Sequence, residues 1–225
     1  MSEASRAAVI FDLDGVIVDS EPLQYASYAE VLAPLGVRIS REEYAREWVG
    51  AGGGPEYAVR VYGLSVDPDE LRRRRTEVYR SRLRSEATLM PGAREALSRL
   101  GERHPLGLAT NSSAADTGIV LDRFDLRRCF AAVVTRELYD NAKPAPDAYL
   151  TAAGRLDRLP RQCIVLEDSW RGVGAAHAAG CVCIAVPNEL TAGQDFSLAA
   201  RVVRSLDDVT LGLVEDLVGD QTEGA

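Results

Sequence analysis

The chain contains one lysine, Lys143, against twenty-five arginines. Histidine is nearly as scarce. His104 and His177 are the only two, and their separation excludes a local zinc motif. The four cysteines, Cys129, Cys163, Cys181 and Cys183, contain no Cys-x-x-Cys pair. A disulfide framework or a cysteine metal site is therefore not expected. Cys163, Cys181 and Cys183 sit in apolar runs, where thiols behave as small hydrophobes. Positive charge is also in deficit, with a net charge of -8. That excludes the electrostatic footprint of a general nucleic-acid binder and the basic face of a membrane-surface binder. Long hydrophobic runs are missing too. The opening MSEASRAAVIF holds no apolar stretch long enough for a signal peptide or a membrane span, and its short apolar run ends in acids. The expectation is a soluble, cytoplasmic protein with no nucleic-acid and no membrane partner.

What remains is a globular composition: 225 residues, 46% hydrophobic and 27% charged. Short apolar runs at Ala8–Phe11, Leu106–Thr110, Ala131–Thr135, Cys163–Glu167 and Cys181–Val186 read as fully buried strands. Val202 and Val203 add a short edge piece. Helical patterns separate the later runs, at Ala93–Arg103, Thr117–Phe124, Asp147–Arg155 and Val173–Ala179. Strands alternating with helices predict an α/β protein whose parallel sheet is covered on both faces. Residues 20–88 break the alternation. Leu23–Leu35, Arg41–Val49, Pro55–Tyr62 and Asp69–Ser85 read as helices, punctuated by Gly36, Gly52-Gly53-Gly54 and Pro68. We expect residues 1–19 and 89–225 to form the core domain and residues 20–88 a smaller inserted helical domain. The tail from Asp220 to Ala225 is expected to fray. Arg72 to Arg75, with Arg80, Arg82 and Arg84, reads as a solvated helix face, because arginines all round a helix cannot address one ligand.

The residues that carry chemistry stand at the strand ends. The first strand ends in Asp12-Leu13-Asp14-Gly15 and the second in Thr110-Asn111-Ser112. The loop after the third carries Lys143-Pro144-Ala145-Pro146-Asp147, and the fourth ends in Glu167-Asp168. Each group alone has a bland reading as a turn, a cap or a surface residue. A parallel sheet, however, brings all four to its carboxyl edge, where open α/β sheets place their ligands. Carboxylates from two strands suit a hard cation such as Mg2+. A lysine and a hydroxyl add donors suited to phosphate oxygens.

FDLDGVIVDSEP, LATNSS, KPAPDAY and VLEDSWRGVGAAHAAG, in this order, resemble the haloacid dehalogenase superfamily, in the branch with a helical cap inserted after the first strand. The resemblance implies a Rossmann-like core with a helical-bundle cap. It also implies a Mg2+-dependent phosphatase that hydrolyses a small phosphorylated metabolite, a phosphosugar, through an aspartyl-phosphate. Asp12 would be the nucleophile and Asp14 the general acid and then base. The Asp12 side chain, the Asp14 carbonyl and the Asp168 side chain would bind Mg2+, with Glu167 as a further candidate through water. Thr110 and Asn111 would hold the phosphoryl oxygens, and Lys143 would neutralise them while keeping Asp12 ionised. Dehalogenases of the superfamily typically lack the second aspartate, so Asp14 favours phosphoryl transfer.

The cap divides the remaining alternatives. β-Phosphoglucomutases of this branch typically carry a histidine where this chain has Gln24. They also carry a cap arginine after a glycine matching Gly50, where this chain reads Ala51-Gly52-Gly53-Gly54. Losing that cation removes a charge-assisted grip of about 1.5–3 kcal/mol on a second phosphate, unless Arg60 or an arginine of the 72–84 helix replaces it. The expectation is hydrolysis, with a phosphosugar mutase as the alternative. Gln24, Gly52 and Gly53 are the candidate substrate contacts in the cap, although the glycine run serves equally as a flexible loop. Phosphonate hydrolysis is disfavoured because it would need a cap lysine. A silent binding protein is disfavoured because no motif residue is missing. A monomer is expected.

Overall fold

A computed structural model describes residues 7–50 and 52–223. The first strand, β1 (Ala8–Phe11), leads into four helices: α1 (Glu21–Leu32), α2 (Arg41–Glu43), α3 (Pro55–Tyr62) and α4 (Pro68–Ser85). The chain continues through α5 (Ala93–Gly101), β2 (Leu106–Ala109), α6 (Ala114–Arg123) and β3 (Ala132–Val134). It ends with α7 (Asp147–Arg155), β4 (Cys163–Glu167), α8 (Trp170–Ala178), β5 (Val182–Ala185), β6 (Arg201–Val202) and α9 (Leu211–Glu223). The six strands form one sheet in the order β3-β2-β1-β4-β5-β6, and every neighbouring pair is parallel.

Residues up to Asp19 and from Thr88 onward form one compact unit, and Ser20–Ala87 forms another. In the first unit, every residue of β1, β2, β4 and β5 is buried. Successive strand residues point to opposite faces, so uninterrupted burial requires cover on both. Ala8, Ile10 and Val165 pack with Ala148 and Ala152 of α7 and with Val173 and Ala176 of α8. The small alanines let both helices approach the sheet closely. The alternate residues Val9, Phe11, Ile164 and Leu166 are equally buried, and α5 and α9 pack against β2 and β4. From β1 the chain moves outward through β2 to β3, then returns to the other side of β1 at β4. The order reverses between β1 and β4, which is where open sheets of this kind hold ligands beyond their carboxyl ends.

The second unit has its own core of Tyr28, Leu32, Ile39, Tyr44, Trp48, Ala58 and Leu71. The helix expected over Leu23–Leu35 ends at Leu32 and passes into a single 3-10 turn, Ala33–Leu35, which carries Pro34. Arg41–Val49 is helical, but from Tyr44 to Gly50 its backbone is π-helical. The arginine run lies on α4 with acidic neighbours. Arg74 pairs with Glu70 at 2.6 Å, Arg72 and Arg73 pair with Glu56 and Glu70, and Arg82 reaches Glu30 at 2.7 Å. Arg75 departs from the solvated reading, because its guanidinium stacks on Tyr28 and Tyr79.

α9 runs to Glu223, through most of the tail expected to fray, and Val214 and Leu217 anchor its earlier turns. Gly224 and Ala225 lie outside the described residues, as do Ala51 and residues 1–6. All four cysteines are free thiols, three of them buried. Among the described residues, no helix is long and apolar enough to cross a membrane.

Candidate active site

β1 does not simply stop at an acidic turn. The Asp12 N–H donates to Leu166 O at 3.0 Å, extending the β1–β4 pairing one residue past the strand. The chain then coils tightly, and Leu13 O accepts both Ile17 N–H at 2.9 Å and Val18 N–H at 3.0 Å. This coil takes Asp14 out of the strict strand alternation that would stack it beside Asp12. Gly15 makes the coil possible at φ +79°, and a Cβ at that position would overlap the Asp168 carboxylate. Two independent constraints therefore demand glycine there. Asp14 is partly exposed, and one of its oxygens accepts the Ser112 hydroxyl at 2.5 Å.

The single lysine is the hub. Lys143 lies beyond β3 and is joined by a cis peptide bond to Pro144. Its Nζ donates to Asp12 Oδ1 at 2.6 Å, to Glu167 Oε1 at 2.7 Å and to Ala109 O at 2.9 Å. The Tyr149 hydroxyl lies 2.7 Å from the same Nζ and itself donates to Glu167 Oε1 at 2.6 Å. Lys143 and Glu167 are both almost fully buried, with side chains 4% and 1% exposed. A compact ammonium with three directed protons fits this cage, whereas a planar guanidinium would not.

Opposing effects set the charges. Burial pushes the Asp12 carboxyl up to about 7, Glu167 and Asp14 add to the push, and Lys143 opposes it. Burial alone would lower the Lys143 ammonium, but Asp12 and Glu167 outweigh that and hold it above its ordinary value. The Tyr149 hydroxyl is raised well above its ordinary value, chiefly by burial and then by Glu167.

Glu167 is more constrained than a metal ligand need be. Its Oε1 accepts from Lys143 and Tyr149, while its Oε2 accepts from Asp168 N–H at 3.1 Å and from Ser169 N–H and Oγ. A Cβ on Gly172 would overlap the Glu167 carboxylate, so α8 brings backbone directly against it. Asp168 is held from the far side, where Asn188 Nδ2 donates to its Oδ2 at 2.7 Å. Ligand oxygens of Asp12, Glu167 and Asp168 all lie within 4.8 Å of one another. An all-carboxylate, largely buried oxygen set has the chemistry of a hard divalent cation site rather than a soft-metal site.

Thr110 is buried at the end of β2, and its Oγ1 accepts the Ser112 N–H at 3.0 Å. The Asn111 side-chain oxygen is already occupied, by the Tyr139 hydroxyl at 2.7 Å and by Lys143 N–H at 3.1 Å. The Asn111 side chain is thereby tied to the loop, and its backbone amide is the candidate ligand donor. Asp12, Asp14, Thr110, Asn111, Lys143, Glu167 and Asp168 thus all lie at one sheet edge in the first unit. Gln24, Gly52 and Gly53 lie in the second. Gln24 is on α1, whereas Gly52, at φ +73°, and Gly53 help line a cavity of about 540 Å³ with Glu47, Glu56, Tyr57 and Arg60.

Three residues of the first unit carry no role in the sequence reading: Ser112, Tyr149 and Asn188. The first two sit inside recognised motifs, and a tyrosine among the alanines of α7 is itself a signal. Asn188, in the loop after β5, has no sequence signature.

The family model of haloacid dehalogenase-like hydrolases matches residues 9–186. The fructose-1-phosphate phosphatase YqaB of Escherichia coli is 34% identical over 179 residues, covering 77% of this chain and 93% of the relative. Hexitol phosphatase B of Escherichia coli is 33% identical over 231 aligned residues, covering 94% and 96%. The β-phosphoglucomutase of Bacillus subtilis is 32% identical over 224, covering 93% and 94%. The solved structure of CbbY from Rhodobacter sphaeroides in complex with phosphate superposes with a TM-score of 0.82 at 27% identity, covering 93% of this chain and 99% of that one. The family match and the relatives covered over most of their length together show that this chain is a member of the haloacid dehalogenase-like hydrolase family.

Proposed function

We propose that this protein is a Mg2+-dependent phosphatase that hydrolyses a small phosphosugar through an aspartyl-phosphate on Asp12. The observation that carries the reading is the Lys143–Asp12 pair at 2.6 Å, buried at the end of β1 beside Asp168. Lys143 binds one oxygen of Asp12 and so aims the other at an incoming phosphorus. That oxygen attacks in line, the bond from phosphorus to the sugar oxygen breaks, and Asp14 gives the leaving oxygen a proton. Water then attacks the same phosphorus, Asp14 takes its proton, and inorganic phosphate leaves with Asp12 restored. Thr110, the Asn111 backbone amide and Lys143 hold the transferring oxygens, where each donor contributes about 3 kcal/mol to the transition state. Asp12, Asp168 and the Asp14 carbonyl are the groups that would hold Mg2+, with Glu167 positioning Lys143. When bound, the cation supplies positive charge to the phosphoryl oxygens.

In the second unit, Gln24, Gly52 and Gly53 would contact the sugar. Among the described residues lining the cavity beside the glycines, Glu47 pairs with Arg46 and Glu56 with Arg72, and Arg60 stands in the same lining. We further propose that the protein acts as a cytoplasmic monomer, on free metabolites rather than on nucleic acid or at a membrane.

The test is phosphate release from a panel of phosphorylated sugars and sugar alcohols with Mg2+, using Asp12→Asn as control. Free phosphate from the native protein and none from Asp12→Asn supports the proposal. An active Asp12→Asn protein would refute the nucleophile. β-Glucose 1-phosphate with a bisphosphate primer separates the alternative: glucose 6-phosphate as the main product would replace hydrolase by mutase.

A further inference from the structure

Asn188 lies twenty residues beyond Asp168, in the loop after β5, and its side chain works at both ends. Its Oδ1 accepts the Leu190 N–H at 2.9 Å, which fixes the side chain to its own turn. The Asn188 N–H donates to Thr191 Oγ1 at 3.0 Å, and Asn188 O accepts the N–H groups of Thr191 and Ala192. With the turn so anchored, Nδ2 points at Asp168 and donates to Oδ2 at 2.7 Å. Gly15 closes the other side. A Cβ there would overlap Asp168 Oδ2 and stand 3.0 Å from Asn188 Nδ2. Asp168 is thus clamped between the coil after β1 and the loop after β5.

We propose that Asn188 is a positioning residue that makes Asp168 a one-oxygen ligand and thereby favours Mg2+ over Ca2+. The inference rests on the reading of Asp12 and Asp168 as cation ligands. An amide proton held on Oδ2 competes with a cation for that oxygen and so disfavours two-oxygen coordination by Asp168. Mg2+ demands near-ideal octahedral geometry with single oxygens at short range, whereas Ca2+ readily takes both oxygens of a carboxylate in a larger shell. A neutral donor fixes the carboxylate without adding a charge that would compete with the cation. Partners of this kind are worth about 10–100-fold in metal affinity.

The test is calorimetric titration of the full-length protein with MgCl2 and, separately, CaCl2, with no substrate present. Asn188→Ala should weaken Mg2+ binding about 10–100-fold and Ca2+ binding much less, so that the ratio of the two affinities collapses. Asn188→Leu keeps the side-chain volume but cannot donate to Asp168. It should lose the same preference, and it covers the case in which the alanine variant fails to fold. Native affinities for both ions in either folded variant, or an equal loss for both, would overturn the proposal. If the native protein and Asp168→Ala both fail to bind either ion, the cation site itself falls and the proposed function with it. That outcome is distinct from unchanged binding in the Asn188 variants.

Discussion

Replacing Lys143 by methionine removes the one cation that two buried carboxylates share. The ammonium has acceptors at 2.6 Å (Asp12), 2.7 Å (Glu167) and 2.9 Å (Ala109 O), and its side chain is only 4% exposed. Methionine keeps most of the volume, so the loss is almost wholly electrostatic. Breaking a buried pair from one side costs about 3–5 kcal/mol, because the partner charge is left uncompensated. For a chain of this length each kcal/mol moves the melting temperature by roughly 2–4 °C, which gives a fall of roughly 6–20 °C. Catalysis should suffer separately. Removing a donor to the transferring phosphoryl group costs about 100- to 1,000-fold in kcat. The Asp12 carboxyl, already raised to about 7, would rise further without the charge that opposes its burial. Thermal unfolding by circular dichroism and phosphate release with Mg2+ read the two effects. A Lys143→Met protein that melts within roughly 2 °C of the native one and retains its turnover would refute both the cage and its role.

Tyr149→Phe deletes one of five donors to Glu167 and should cost about 1–2 kcal/mol in urea unfolding, with a much smaller drop in kcat than Lys143→Met. Gly15→Ala forces a side chain into positive φ and against Asp168, and should cost about 1–3 kcal/mol. It should also weaken Mg2+ binding by calorimetry, which a purely backbone effect would leave alone. Asp12 must be ionised to attack, and burial raises it to about 7. At low Mg2+, kcat/KM should therefore fall as pH drops through about 7. Raising Mg2+ stabilises the carboxylate and should move that acid limb to lower pH, whereas a limb indifferent to Mg2+ would contradict the assignment.

The α/β core was legible because its strands are unbroken apolar runs with acids, a threonine or a loop lysine just beyond them. Burial on both faces leaves no alternation to misread. Asp12, Lys143 and Asp168 were legible for the same reason: strand ends in a parallel sheet converge whatever the intervening sequence. The role of Glu167 was not. Its sequence neighbourhood suggests a ligand through water, whereas its hydrogen bonds from Lys143, Tyr149 and the start of α8 become visible only in the fold. The π-helical stretch over Tyr44–Gly50 was invisible because hydrophobic period separates helix from strand, not one helical hydrogen-bond pattern from another. α9 was missed because its polar tail masked the short apolar pattern of Val214 and Leu217.

In the proposed reaction, phosphate passes through a covalent bond to Asp12. Acid-quenching the protein during turnover, reducing it with borohydride and sequencing its peptides by mass spectrometry reads that bond directly. Reduction of Asp12 to homoserine is expected only when substrate and Mg2+ were present, with no modified peptide from Asp12→Asn. Modification at another residue under the same conditions, with turnover surviving in Asp12→Asn, would contradict it.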